Sequence, residues 1–434
     1  MKIDVFKYII KEFHEASLPE LKPRKLEIPP TQKIITIAGS RRTGKTFFFY
    51  QKIKELLDKG TSKEQILYIN FEDDRLLPLK LNDMNDLMDA YYELYPDNKG
   101  KTIYLFLDEI QNIEKWEIFV RRIYDKEKVK IFITGSSSKL LSKEIATSLR
   151  GRTLSFYLFP LSFVEFLEFN NIRLDKNFVY SKKRFKIKNL LEKYIKFGGF
   201  PEVVLEKNKL EGDILRNYFD MFIYKDLVER FSIRNITLLK NLTKFLLTNI
   251  SCVFSANSYY KTRKQHSAVG KDTISEYCSY LEDINLVFFV PLFSYSLRSQ
   301  QTNPKKTYCL DTGLRNSVCF SFSEDLGKLV ENVVFIELKR SGKEVYYWKS
   351  REKSEVDFII KNNDNSLSAI NVTYSNKINE REIKSLRRFK EKFRSKVKSL
   401  IIITDNIEKK EDGISYIPLW KWLTRGSLIK LNLE

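Results

Sequence analysis

The residues best equipped for chemistry lie in one short run, Gly39-Ser40-Arg41-Arg42-Thr43-Gly44-Lys45-Thr46. It follows the apolar stretch Lys33-Ile34-Ile35-Thr36-Ile37-Ala38 and precedes helical sequence over 47–58. GxxxxGKT between a strand and a helix is the setting in which backbone amides and a helix amino terminus cradle phosphate. There Lys45 would reach the β- and γ-phosphates, and the Thr46 hydroxyl would take Mg²⁺. Downstream, the apolar strand Ile103-Tyr104-Leu105-Phe106-Leu107 closes on Asp108-Glu109. Asp108 is the candidate partner of Mg²⁺, and Glu109 the candidate general base for the attacking water. A further strand, 130–133, runs into Thr134-Gly135-Ser136-Ser137-Ser138. Thr134 and Ser136 are candidate γ-phosphate sensors, and the serines read equally as the amino cap of a helix over 139–149. In Leu149-Arg150-Gly151-Arg152, both Arg150 and Arg152 are candidate donors of transition-state charge, in cis or from a neighbouring molecule. Solvated surface arginine is the alternative for each.

The elements that must position these groups alternate strand and helix from residue 33, the pattern of an α/β core with a parallel sheet covered on both faces, set at 33–164. Residues 1–32 read as an amphipathic helix over 5–16 and a proline-marked arm. Residues 165–235 carry Leu, Phe and Tyr at helical spacing, as for a helical lid, with a reversal at Gly198-Gly199. Residues 236–306 read as three helices followed by apolar strands, a winged helix-turn-helix pattern. Lys261, Arg263, Lys264 and Lys271 fall where DNA phosphates would be met, and a purely protein-contacting module is the alternative. Asp311-Thr312-Gly313 reads as a turn. The final segment, 307–434, holds a helix over 325–339 carrying Glu331, then strands containing Asp357 and the pair Asn371 and Thr373, which share one strand face.

A chain of 434 residues with 43% hydrophobic residues has material for several cores, which excludes full-length disorder. Its formal charge of +20 makes a polyanion such as DNA a candidate partner of a basic surface. Four cysteines and two histidines, His14 and His266, show no metal-ligand spacing. No stretch has the length of a membrane span or the core of a signal peptide, so a cytoplasmic location is expected.

Asn70-Phe71-Glu72-Asp73, Leu107-Asp108-Glu109-Ile110-Gln111, Thr134-Gly135-Ser136-Ser137, Ser148-Leu149-Arg150-Gly151-Arg152 and Phe159-Pro160-Leu161-Ser162-Phe163 together resemble the archaeal P-loop ATPase family of the wider AAA+/STAND group. Phe197-Gly198-Gly199-Phe200-Pro201-Glu202, Tyr224-Lys225-Asp226 and Tyr308-Cys309-Leu310-Asp311-Thr312-Gly313 extend the resemblance over nearly the whole chain. It implies ATP as the nucleotide, Mg²⁺ as its metal, and hydrolysis used as a molecular switch. A nucleotide-gated DNA-binding or signalling adaptor is the alternative, with its partner protein unidentified. The last segment resembles the PD-(D/E)xK restriction-endonuclease-like fold. Glu331 and Asp357 match its acids, while Asn371 and Thr373 stand where a carboxylate and a lysine are required. That loss removes a metal ligand and a water-orienting cation, so nuclease chemistry is not expected.

Overall fold

The computed structural model describes residues 2–136, 143–175, 177–264, 270–320, 326–352, 354–375 and 377–425. The chain divides into two compact units, Met1–Phe159 and Pro160–Glu434.

The first unit opens with α1 (Ile3–Glu15), whose Phe6, Ile9 and Ile10 recur at helical spacing and are buried. After α1 the chain runs without regular structure to β1 (Ile34–Ala38), with Leu18, Leu26 and Ile28 packed on the core. Then come α2 (Lys45–Asp58), β2 (Ile66–Asn70), α3 (Met84–Leu94), β3 (Ile103–Asp108), α4 (Trp116–Lys126), β4 (Val129–Gly135), α5 (Lys143–Ser148) and β5 (Thr153–Tyr157). The five strands form one parallel sheet in the order β2-β3-β4-β1-β5. Strand β1 is β-branched and apolar almost throughout, and β3 is apolar up to its closing Asp108, because both faces are covered. On one face Phe48, Phe49 and Ile53 of α2 meet Ile35, Ile37 and Phe106; on the other Phe6, Tyr91 and Phe119 meet Ile34, Leu105 and Leu107. Each such large side chain contributes about 1.5–3 kcal/mol by leaving water. Because every strand runs the same way, all carboxyl ends share one edge. The loop after β1, the acids ending β3 and the hydroxyls ending β4 are thereby made neighbours, with β4 between the other two.

The second unit begins with α6 (Phe163–Phe169), α7 (Lys183–Phe197), α8 (Pro201–Leu205), α9 (Glu211–Met221) and a π-helical stretch, Phe222–Glu229. Next are α10 (Ile236–Thr248), β6 (Val253–Phe254), α11 (Ala256–Lys264), α12 (Lys271–Asp283), β7 (Val287–Val290), α13 (Leu297–Thr302), β8 (Lys305–Cys309) and α14 (Thr312–Val318). The segment 165–235, expected as a lid, is built into this unit: α7 and α9 both pack on α14. Asp311-Thr312-Gly313, expected as a turn, is instead the start of α14: Asp311 caps the helix by accepting from Leu314 N at 3.0 Å, and ties it to the reversal after α7 by accepting from Gly199 N at 2.7 Å. Strands β6, β8 and β7 form a three-stranded antiparallel sheet in that order. The stretch 298–306 supplies most of α13 and the start of β8.

The rest consists of α15 (Leu326–Arg340), β9 (Val345–Lys349), β10 (Glu355–Lys361), β11 (Leu367–Thr373), α16 (Glu380–Phe393), β12 (Val397–Thr404), β13 (Lys409–Glu411), β14 (Ile414–Pro418) and α17 (Leu419–Arg425). Its six-stranded sheet is mixed, in the order β13-β14-β12-β11-β10-β9. Helix α16 turns Leu386 and Phe389 onto Trp348, Ile402 and Tyr416. Among the described residues no helix is long and apolar enough to cross a membrane.

Candidate nucleotide site

The loop between β1 and α2 is shaped by packing. A Cβ on Gly39 would lie 2.6 Å from the Leu158 carbonyl oxygen, and Gly44 enters α2 in the left-handed region at φ 88°. Inside the loop, Thr43 donates its hydroxyl to Ser40 O at 2.9 Å, and Ser40 Oγ shares a hydrogen bond with Tyr157 OH at 2.9 Å. Arg41 pairs with Glu72 at 2.9 Å, while Arg42 takes a left-handed φ of 66°. From outside, the buried Arg24 of the arm donates to Thr43 O at 2.5 Å and Phe159 O at 2.8 Å, holding the loop between arm and β5. Arg24 carries no local sequence signal and was not anticipated.

Lys45 and Glu109 form an ion pair of 3.1 Å, with side chains only 4% and 10% exposed. Burial alone would push the Glu109 carboxyl up. Lys45, a hydrogen bond from Gln111 at 2.5 Å and Arg41 outweigh it, holding Glu109 below its ordinary value. Glu109 Oε2 also accepts from Ser136 N at 3.1 Å, so the end of β4 orients this carboxylate. Asp108, fully buried, accepts from the hydroxyls of Thr46 at 2.7 Å, Tyr68 at 3.1 Å and Thr134. Burial raises its carboxyl above the ordinary value, though the Thr134 and Thr46 hydrogen bonds oppose the shift. Thr134 Oγ1 also accepts from Glu109 N at 3.1 Å, so one hydroxyl ties both acids to β4. The sequence marks Thr134 and Ser136; Tyr68 and Gln111 were missed, although each lies on or beside a strand end already singled out.

These groups suit a nucleotide with Mg²⁺. Thr46 spends its proton on Asp108, which leaves its lone pairs for a hard cation.

Two expected participants lie elsewhere. Arg152 O accepts from Ile34 N at 2.9 Å, so Arg150 and Arg152 sit at the amino edge of the sheet, the end opposite the loop. Arg152 is there held by Asp125 at 2.8 and 3.0 Å. Strand direction removes both from reach of the loop in cis. Ser137 and Ser138 lie outside the described residues, as does His266, and so does the side chain of Lys264.

In the second unit, Glu331 and Asp357 do converge, but on Lys306, at 2.9 and 2.8 Å. Asn371 accepts from Asp357 N at 3.1 Å and donates to Glu382 at 2.6 Å and Ser385 at 2.9 Å, tying β10 to α16. Thr373 ends β11, beside Thr404 of β12.

Residues 31–167 match the family profile described as an AAA domain. Residues 188–325 and 326–422 match two families described as domains of unknown function. The protein MJ1544 of Methanocaldococcus jannaschii is 38% identical over 403 residues, covering 90% of this chain and 88% of its own length. The chain belongs to this family of AAA-domain proteins. A further relative, from Haemophilus influenzae, is 32% identical over 403 residues, covering 92% of this chain and 96% of its own. Among solved structures, the Walker-type ATPase PABY2304 of Pyrococcus abyssi is 14% identical and covers 66% of this chain and 90% of its own, at a TM-score of 0.36. That superposition carries no functional inference; the AAA assignment rests on the family profile.

Proposed function

We propose that this AAA-family protein binds ATP with Mg²⁺ at 39–46 and hydrolyses it, using the energy as a switch. The observation that carries the reading is the buried Lys45–Glu109 pair beside the Thr46–Asp108 hydrogen bond. A bound magnesium ion, held by Thr46 and Asp108, would neutralise phosphate charge. The loop amides and Lys45 hold the phosphates. An arriving triphosphate competes for Lys45 and so frees Glu109. Glu109 then takes a proton from the water that attacks the γ-phosphorus, the bond to the β,γ-bridging oxygen breaks, and ADP and phosphate leave. Adenine follows from the family resemblance. An arginine from a neighbouring molecule remains a role open to Arg152 or Arg150 in trans. Calorimetric titration of the protein with ATP and Mg²⁺ tests the binding step: wild type should give heat that Lys45→Ala abolishes, and silence from wild type would refute it.

A second reading concerns DNA. The element order of 236–306 and the pairing β6-β8-β7 support reading it as a winged helix-turn-helix, in which α12 would enter the groove. The exposed positions of α12 include Asp272, Glu276 and Glu282 against one lysine, Lys271. Asp272 and Glu276, one turn apart on one face, oppose phosphate, so the module fits a protein contact better. A basic surface does lie on α7, where Lys183, Arg184, Lys186, Lys193 and Lys196 are exposed against the single acid Glu192. The final module, with the helix and strand order of the PD-(D/E)xK fold, would serve as a non-cleaving platform.

A further inference from the structure

Lys306 projects from β8 into the final module and is 3% exposed. Its ammonium meets Glu331 Oε1 of α15 at 2.9 Å, and on β10 Glu355 Oε1 at 3.1 Å and Asp357 Oδ1 at 2.8 Å. An ammonium has three N–H donors, and here three carboxylates take one each. The other acceptor sites of these acids are largely used as well. Glu331 Oε1 also accepts from Tyr308 OH at 2.6 Å, Asp357 Oδ2 accepts from Val372 N at 2.9 Å, and Glu355 Oε2 pairs with Lys349 at 3.2 Å.

We infer that the Lys306 ammonium is a built-in cation, occupying the place where a hydrolytic metal would have to sit and fastening α15 and β10 to the β6-β8-β7 sheet. Three carboxylates this close and this buried repel one another and require a positive charge among them. A divalent ion would supply it in an enzyme. Here a covalently tethered charge supplies it from a strand of the preceding module, so the centre is permanently filled and independent of dissolved metal. The consequence for function is that the two modules behave as one body whose acidic centre neither takes up Mg²⁺ nor activates water. This is a reason for catalytic silence separate from the neutral Asn371 and Thr373.

The test is thermal melting without nucleotide, in EDTA and in millimolar Mn²⁺ or Mg²⁺, for wild type, Lys306→Ala and the charge-depleted Lys306→Met/Glu331→Gln/Asp357→Asn. Any metal response at the nucleotide loop is common to all three proteins and cancels in the comparison. Wild type should melt alike in EDTA and metal once that common response is subtracted. Lys306→Ala should melt roughly 10 °C lower in EDTA and recover part of the loss in Mn²⁺, the metal entering the place the ammonium left. The charge-depleted variant should fold and ignore metal; if Lys306→Ala does not fold, recovery of folding by this variant supports the inference through charge alone. A larger Mn²⁺ stabilisation of wild type than of Lys306→Ala would overturn it. So would Mn²⁺-dependent nicking of supercoiled plasmid by wild type that Lys306→Ala abolishes, since Lys306 would then be a catalytic residue beside a metal.

Discussion

Thr134 is the residue on which both acids of the nucleotide site depend. Thr134→Val preserves shape and removes the hydroxyl that Asp108 and the Glu109 amide share. The loss of a buried partner should lower stability by about 1–3 kcal/mol in urea unfolding and raise the Mg²⁺ concentration needed for half-maximal ATPase activity. Glu109 offers a pH test. Because Lys45 and Gln111 help hold its carboxyl below the ordinary value in the free protein, Gln111→Ala should move the acid limb of kcat/KM upward. Once phosphate competes for Lys45 the carboxyl rises, so the acid limb of kcat should lie higher than that of kcat/KM. An acid limb that Gln111→Ala leaves in place or lowers would contradict the geometry. The loop and the acid pair were legible because each is a local pattern: GxxxxGKT in eight consecutive residues, and two acids closing one apolar strand. Of the cis and trans roles open to Arg150 and Arg152, the cis one could have been set aside from sequence, since a residue preceding a parallel strand must lie at the edge opposite the loop. Lys306 was not legible at all, its partners being 25 and 51 residues away. Glu355 could have been found, because Glu355 and Asp357 alternate onto one strand face.

Among the elements, the turn at Gly198-Gly199 and the start of α14 are one structure closed by Asp311, which is why two motifs more than a hundred residues apart belong together. Burial pushes the Asp311 carboxyl up to about 6, against the pull of the Gly199, Leu314 and Gly313 amides. An acid held more protonated in the fold than in the unfolded chain costs stability as pH rises from its ordinary 3.8 to about 6, and the cost is constant above that. Relative to Asp311→Asn, wild type should therefore lose stability across this window and run parallel outside it, as urea midpoints at pH 4, 5, 6 and 7 would show. A gap that widens in favour of wild type between pH 4 and 6 would contradict the burial argument. The helices of 165–235 were predicted correctly as helices and incompletely as a lid, because amphipathic spacing specifies that a face is buried but not which partner buries it. In α12, the charges read position by position were what disfavoured DNA.

At the scale of the whole molecule, a charge of +20 predicts retention of polyanions at low salt. If α7 is the contacting surface, Arg184→Glu with Lys186→Glu should flatten the dependence of log affinity on log salt by about two, while Asp272→Ala with Glu276→Ala in α12 should leave it unchanged. The reverse pattern, measured by filter binding over several salt concentrations, would return the contact to α12. The proposed function nevertheless rests on the carboxyl edge of the parallel sheet. Its most direct test is release of inorganic phosphate from ATP and Mg²⁺ by purified wild type, Lys45→Ala and Glu109→Gln. Wild type should turn over, Lys45→Ala should neither bind nor release, and Glu109→Gln should bind ATP yet release phosphate about 10²–10⁴-fold more slowly. Equal rates in all three proteins would contradict a site built on Lys45 and Glu109.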